Sequence, residues 1–283
     1  MKAQIWTFLA VTFALTVVFS YPMIQAGNMY LAGGAYVMAI MWSPGIAALV
    51  TCLMFQRNLR GLGWRLGKVR YLVASYLIPL AAALIVYSTV WLTGLGGFRV
   101  SEYFGTTTAG NFGVEHPSFG VSLAILLTGG LLLRMILALG EEIGWRGFLL
   151  PRLAEVISPK RAAILSGVIW ATYHLPGLLF LQYYSGTRLQ SVVCFSIMAV
   201  AASVIMAWLR MRSGSLWTAA VFHSAHNLAI QGIFNGLTED TGPTDFFIDE
   251  FGIGMALVYS VAAIWFWRRF QPNEEPPTAG TSA

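Results

Sequence analysis

Adjacent carboxylates at Glu141 and Glu142, an arginine at Arg146, imidazoles at His174, His223 and His226 and an amide at Asn227 are the side chains whose types could do chemistry. A carboxylate and an imidazole together can take a proton from water, and imidazole or amide N–H groups can hold the oxyanion that forms when a carbonyl is attacked. The same groups could also relay protons or cations. All of them sit in apolar sequence, where one ionised side chain at the centre of a membrane helix costs about 2.5–3.5 kcal/mol. Each is therefore a functional candidate, and each also has a bland reading: a Glu that pairs with an Arg, or a His that bonds a backbone carbonyl.

The elements that must position these residues are set by composition. The 283 residues are 57% hydrophobic and only 10% charged, with a mean hydropathy of +0.68. Soluble domains carry about 25% charged residues, so a soluble enzyme, a disordered chain, a collagen-like chain and a disulfide scaffold are excluded. Cys52 and Cys194 each lie in an apolar stretch and read as small buried residues. Eight stretches approach the roughly 20 apolar residues that cross a bilayer: 5–26, 29–55, 72–96, 121–139, 162–184, 191–209, 216–234 and 251–267. The short alternating segments of an outer-membrane barrel are absent. The predicted fold is all-α, a polytopic membrane helix bundle of about eight transmembrane helices. Residues 1–270 form one integral membrane domain with a core at about 121–236, and residues 271–283 form a disordered cytoplasmic tail. The first segment is too long for a signal-peptide core and is expected to be retained.

Charge gives the expected orientation. Placing the loop 56–70 in the cytoplasm puts fourteen of the 17 cationic residues on that side: Lys2, Arg57, Arg60, Arg65, Lys68, Arg70, Arg146, Arg152, Lys160, Arg161, Arg210, Arg212, Arg268 and Arg269. The other side receives only Arg99 and Arg188, and Arg134 falls inside a segment. This positive-inside bias predicts a multi-pass protein of the inner or plasma membrane with both termini cytoplasmic. The net charge of +5 is then topological, and no nucleic-acid partner is expected.

Depth and angle refine the site. At 1.5 Å per residue, Glu141 lies about 15 Å, His174 about 20 Å, and His223 and Asn227 about 15 and 21 Å from the cytoplasmic ends of their helices. Three helices thus deliver one carboxylate, two imidazoles and an amide to one layer. Glu142 stands four residues before Arg146, the favourable order for an ion pair, which leaves Glu141 to face the interior. His223 and Asn227 share a stripe, while His226 is turned away by about 60°. Pro176 should loosen the helix next to His174.

The runs Glu141-Glu-Ile-Gly-Trp-Arg146, Trp170-Ala-Thr-Tyr-His174 and His223-Ser-Ala-His-Asn227 together resemble the motifs EExxxR, FxxxH and HxxxN of the CPBP intramembrane proteases. That family comprises the bacterial Abi group and the type II CAAX prenyl endopeptidases. The second motif departs from the pattern, with Trp170 where the family usually has Phe. The resemblance implies that Glu141 and His174 activate a water, that His223 and Asn227 hold the oxyanion, and that Glu142 and Arg146 support the geometry. It implies a membrane-associated or lipidated (CAAX-type) peptide or protein substrate in the bilayer, and the depth of about 15 Å from the cytoplasmic face suits water entering from the cytoplasm. No cofactor is required on this reading; the alternative is Zn on Glu141, His174 and His223. Arg134, seven residues before Glu141, is either a buried partner for a carbonyl or for Glu141, or a fork for a substrate carboxylate. A transporter or proton relay and a non-catalytic scaffold remain the alternatives. Gly33, Gly34, Pro44, Gly129 and Gly130 read as packing or kink sites, and the acidic stretch 239–250 as a solvated loop.

Overall fold

A computed structural model describes residues 1–100, 112–114 and 117–270, so the expected tail at 271–283 lies outside the described residues. All eight expected segments are helical: α1 (Lys2–Ala26), α2 (Ala35–Gln56), α3 (Val69–Leu92), α4 (Phe119–Ala154), α5 (Pro159–Phe180), α6 (Arg188–Ser213), α7 (Leu216–Asn227) and α8 (Ile253–Trp267). Six of these, α1 to α6, are long and apolar enough to cross a membrane, and α8 is a shorter apolar helix. The chain is an all-α polytopic bundle. α7 carries the polar set and continues past Asn227 through a widened π turn, Leu228–Phe234.

Local signals set the helix ends. Ser158 caps α5 by accepting from the Arg161 backbone N–H, and Pro159 occupies the first turn, where its missing N–H costs nothing. Gly214, at φ 69, closes α6 in the left-handed conformation, and Ser215 caps α7 directly afterwards. α6 is the scaffold: 67% of its apolar window is buried, against 22–39% in the other five spans. It packs on α5 and α8, while α7 packs on α3 and α4.

The connections sort into two ends. At one end the Leu216 backbone N–H donates to Gly63 O at 2.8 Å, and the Trp217 indole donates to Trp64 O at 2.7 Å. At the other, β1 (Gly97–Phe98) pairs antiparallel with β2 (Thr238–Glu239), and Thr244 Oγ1 donates to Leu95 O at 2.7 Å. The first group includes the basic loop 57–68, and the second includes part of the acidic stretch 239–250.

Glycines bring α2 against α4 where the carboxylates sit. A Cβ on Gly45 would lie 2.5 Å from Gly140 O, and one on Gly144 would lie 2.4–2.7 Å from the ring and backbone of Pro44. Backbone atoms cannot yield to such a contact, so these helices touch only because the side chains are absent. Gly144→Leu should therefore lower thermal stability in detergent, by about 1–3 kcal/mol or more. Gly120→Ala is the control: on the same helix it meets nothing within 4 Å, and it should leave the melting temperature unchanged or slightly raised.

Candidate active site

The carboxylates of α4 point to different neighbours, as their 100° offset demands. Glu142 turns to α7. Its Oε1 accepts from Arg146 Nη1 at 2.9 Å and from His223 Nδ1 at 2.9 Å, and its Oε2 accepts from Arg146 Nη1 at 3.2 Å. Glu141 turns to α5. Its Oε2 accepts from the indoles of Trp170 at 2.7 Å and Trp145 at 3.1 Å, so Oε1 is the oxygen left to take a proton. Both carboxylates and Arg146 are at most 1% exposed. The Arg146 guanidinium also lies 4.6 Å from the centroid of the Trp170 ring, so one indole serves both ends of the motif.

The imidazoles are fixed by acceptors. His174 Nδ1 lies 2.9 Å from Trp170 O, and a carbonyl can only accept, so Nδ1 carries the proton and Nε2 of the neutral ring is free to act as a base. His223 Nδ1 donates to Glu142 in the same way, which leaves its Nε2 for the site. Pro176 does not end α5, which continues to Phe180.

Glu141, His174, His223 and Asn227 all line one cavity of about 620 Å³, and Trp170 and Arg134 line it with them. Arg134 lies against α7, where a Cβ on Gly232 would come within 2.8 Å of Nη2. The expected residues thus converge. Among the described residues, no group of three or more His, Cys, Asp or Glu side chains is gathered as a metal site.

The stretch 239–250 departs from the solvated loop expected of it. Its last residue is not solvated: Glu250 is buried and lines the same cavity. Asp249 adopts φ 67, which turns the chain back into the bundle. Glu250 Oε1 then accepts from the Tyr183 hydroxyl and from Gln231 Nε2 at 3.2 Å. Its Oε2 lies 3.6 Å from His226 Nε2, and His226 Nδ1 meets the Tyr259 hydroxyl at 2.9 Å. Burial, with the Glu250 charge beside it, pushes the Asp249 carboxyl up to about 7. His226 is turned from His223 as expected, yet it reaches the cavity by its own route. In the sequence the only trace of this inward turn is an Asp two residues before Phe251-Gly252, a weak turn signal.

The charge pair at Glu142 makes a stability prediction. Glu142→Ala would leave a fully buried guanidinium unanswered, a change that typically costs about 3–5 kcal/mol. Replacing both partners, Glu142→Leu with Arg146→Met, should be less damaging than the single change when thermal unfolding of the two variants is compared. A double variant less stable than Glu142→Ala would show that the pair is not the source of the loss.

Two comparisons with known proteins fall on this same region. Residues 123–229 match the family model described as type II CAAX prenyl endopeptidase Rce1-like. "CAAX prenyl protease 2" of Methanococcus maripaludis is 29% identical over 130 residues, which is 44% of this chain and 47% of the relative, so the match spans about half the length of each. The three motifs and every residue of the expected catalytic set lie inside the family match, while α1 to α3 and α8 lie outside it. Across residues 123–229 this chain is similar to the type II CAAX prenyl endopeptidases of the Rce1-like family.

Proposed function

We propose that the chain is an intramembrane endopeptidase that hydrolyses a peptide bond of a membrane-associated or lipidated substrate, of the CAAX type or related to it. The observation that carries this reading is the convergence of Glu141 and His174 from different helices on one cavity that His223 and Asn227 also line. Peptide hydrolysis needs a base for water and donors for the oxyanion, and these four residues supply both.

The available atoms define the reaction. A water between Glu141 Oε1 and His174 Nε2 gives up a proton as its oxygen attacks the scissile carbonyl. The carbonyl oxygen becomes an oxyanion and takes hydrogen bonds from the Asn227 amide and from His223 when its Nε2 is protonated. The proton held on Glu141 passes to the leaving amine as the C–N bond breaks, and the carboxylate is restored. Glu142 and Arg146 touch no reacting atom on this scheme; they hold the His223 ring. Arg134 lines the same cavity, and on this scheme its guanidinium takes a substrate carboxylate.

Glu141→Gln and His174→Ala should each abolish cleavage of a quenched farnesylated peptide in detergent without loss of the fold. The double variant should be hardly worse than either single change, since groups that act as a unit are not additive. Full activity in Glu141→Gln would reject the assignment. Proton or cation flux in proteoliposomes without cleavage would favour a relay instead.

Trp170 gives a finer test. Phe at this position keeps an aromatic ring beside Arg146 but cannot donate to Glu141, whereas the indole does so at 2.7 Å. Trp170→Phe should lower kcat by about tenfold, the worth of one 1.4 kcal/mol interaction, with KM little changed. An unchanged kcat would mean that the Trp145 donor alone orients the carboxylate.

A further inference from the structure

We propose that Glu250 is a positioning residue for His174: by way of Tyr183 and Phe251 it holds the imidazole ring so that Nε2 faces the cavity, and by way of Gln231 it ties that ring to α7. The role in turnover rests on the endopeptidase reading; the contacts that define it do not. Glu250 lies beyond the family match, which ends at residue 229.

His174 needs such support. Among the described residues its ring makes one hydrogen bond, from Nδ1 to Trp170 O one turn back on its own helix. One bond of this kind fixes the tautomer but leaves the ring free to tilt about it, so packing must set the direction of Nε2. Trp170 and Tyr173 meet the ring edge-on from α5, with centroids 5.7 and 5.1 Å away. Phe195 of α6, at 4.8 Å, and Tyr183, stacked at 6.4 Å, also pack on it.

The last two rings depend on the segment 249–251. Tyr183 and Phe195 both rest on Phe251, with ring centroids at 5.0 and 6.0 Å. The residue before Phe251 is Glu250, 4% exposed, whose Oε1 accepts from the Tyr183 hydroxyl and from Gln231 Nε2. Adjacent residues thus hold the same phenol, one at its hydroxyl and one at its ring. Gln231 stands four residues past Asn227, in the widened turn of α7. The Glu250 carboxylate therefore bridges the end of α5, which carries the proposed base, to α7, which carries His223 and Asn227. It does so without touching a reacting atom.

The backbone is bent to make this meeting. Gln182 has φ 56 and Asp249 φ 67, two of the four non-glycine residues with positive φ among those described. Each immediately precedes one of the partners, Tyr183 and Glu250. An L-residue enters that region at a cost, and such costs gather where a site must be held. Gln182 is itself exposed, so its turn buries nothing of its own. It sends the Tyr183 N–H back to Gly177 O at 3.2 Å and so lays Tyr183 alongside the last turn of α5.

Two arms test this on the full chain. With the quenched farnesylated peptide in detergent, Tyr183→Phe and Glu250→Ala should each lower kcat by about tenfold, the loss of one hydrogen bond, with KM little changed. The double variant should fall no further than about twofold below Glu250→Ala, because both changes remove one link. Glu250→Gln keeps an oxygen for the Tyr183 hydroxyl and should recover most of the lost kcat. A raised KM at unchanged kcat would make Glu250 a substrate contact and overturn the proposal, and so would a Glu250→Gln variant as damaged as Glu250→Ala. The second arm needs no turnover. NMR of protein with isotope-labelled histidines, assigned with His174→Gln, should show one Nδ1-protonated His174 ring in the unmodified chain and exchange between tautomers in Tyr183→Phe and Glu250→Ala. An unchanged His174 signal in both variants would overturn the positioning role. No cleavage by the unmodified chain would sink the endopeptidase reading instead, and the NMR arm would still decide whether Glu250 holds the ring.

Discussion

A carboxylate taken out of water survives as an anion only if its charge is answered where it lies, and the structure is organised around one such answer. Glu142 takes two contacts from Arg146 on its own helix and one from His223 on α7. The bond to His223 fixes the spacing of α4 and α7 and chooses which imidazole nitrogen faces the cavity. Arg146, in turn, lies over Trp170 of α5, and the Trp170 indole reaches back to Glu141. Three helices are thereby tied through one buried charge pair, and breaking either partner leaves the other uncompensated in a low-dielectric interior. Stability and site geometry share the same bonds.

Two widened turns help that knot to form. α4 passes into a π turn at Ile143–Leu149 directly after Glu142, and α7 does so at Leu228–Phe234 directly after Asn227. A π turn adds a residue to the ring that a hydrogen bond closes and shifts the phase of the next helical residues, and such turns gather at functional sites. Here the first begins inside its motif, between Glu142 and Arg146, and the second directly after the last residue of its motif, Asn227. The missing side chains of Gly140 and Gly144 then let α2 close on the backbone beside them, so the carboxylates sit against protein and not against lipid.

What the sequence made legible was whatever obeys a period or a cost. Eight apolar runs gave eight helices because backbone groups in lipid must bond within their own segment. Glu141, His174, His223 and Asn227 could be assigned to one layer, and they share one cavity, because 1.5 Å per residue holds for any helix. The pairing of Glu142 with Arg146 came from the i,i+4 rule. What stayed hidden depends on contacts without a period. Nothing in the spacing says that Glu250 leaves its loop to meet Tyr183, Gln231 and His226, or that Trp170 donates to Glu141.

Three carboxylates, Glu141, Glu142 and Glu250, line or adjoin the same interior, and their partners separate their roles. Glu142 is held by a guanidinium, so protonating it would leave a buried cation unanswered. Glu250 Oε1 is shared by a phenol and an amide, and its Oε2 faces the His226 imidazole at 3.6 Å, so its charge is tied to a second titratable group. Glu141 is held by two neutral indoles that meet on one oxygen, Oε2, with no imidazole or guanidinium bonded to it. It can gain and return a proton at Oε1 without breaking an ion pair and without moving the indoles that aim it. A base that must cycle between charged and neutral forms once per turnover needs that arrangement, and among the three it is found only at Glu141.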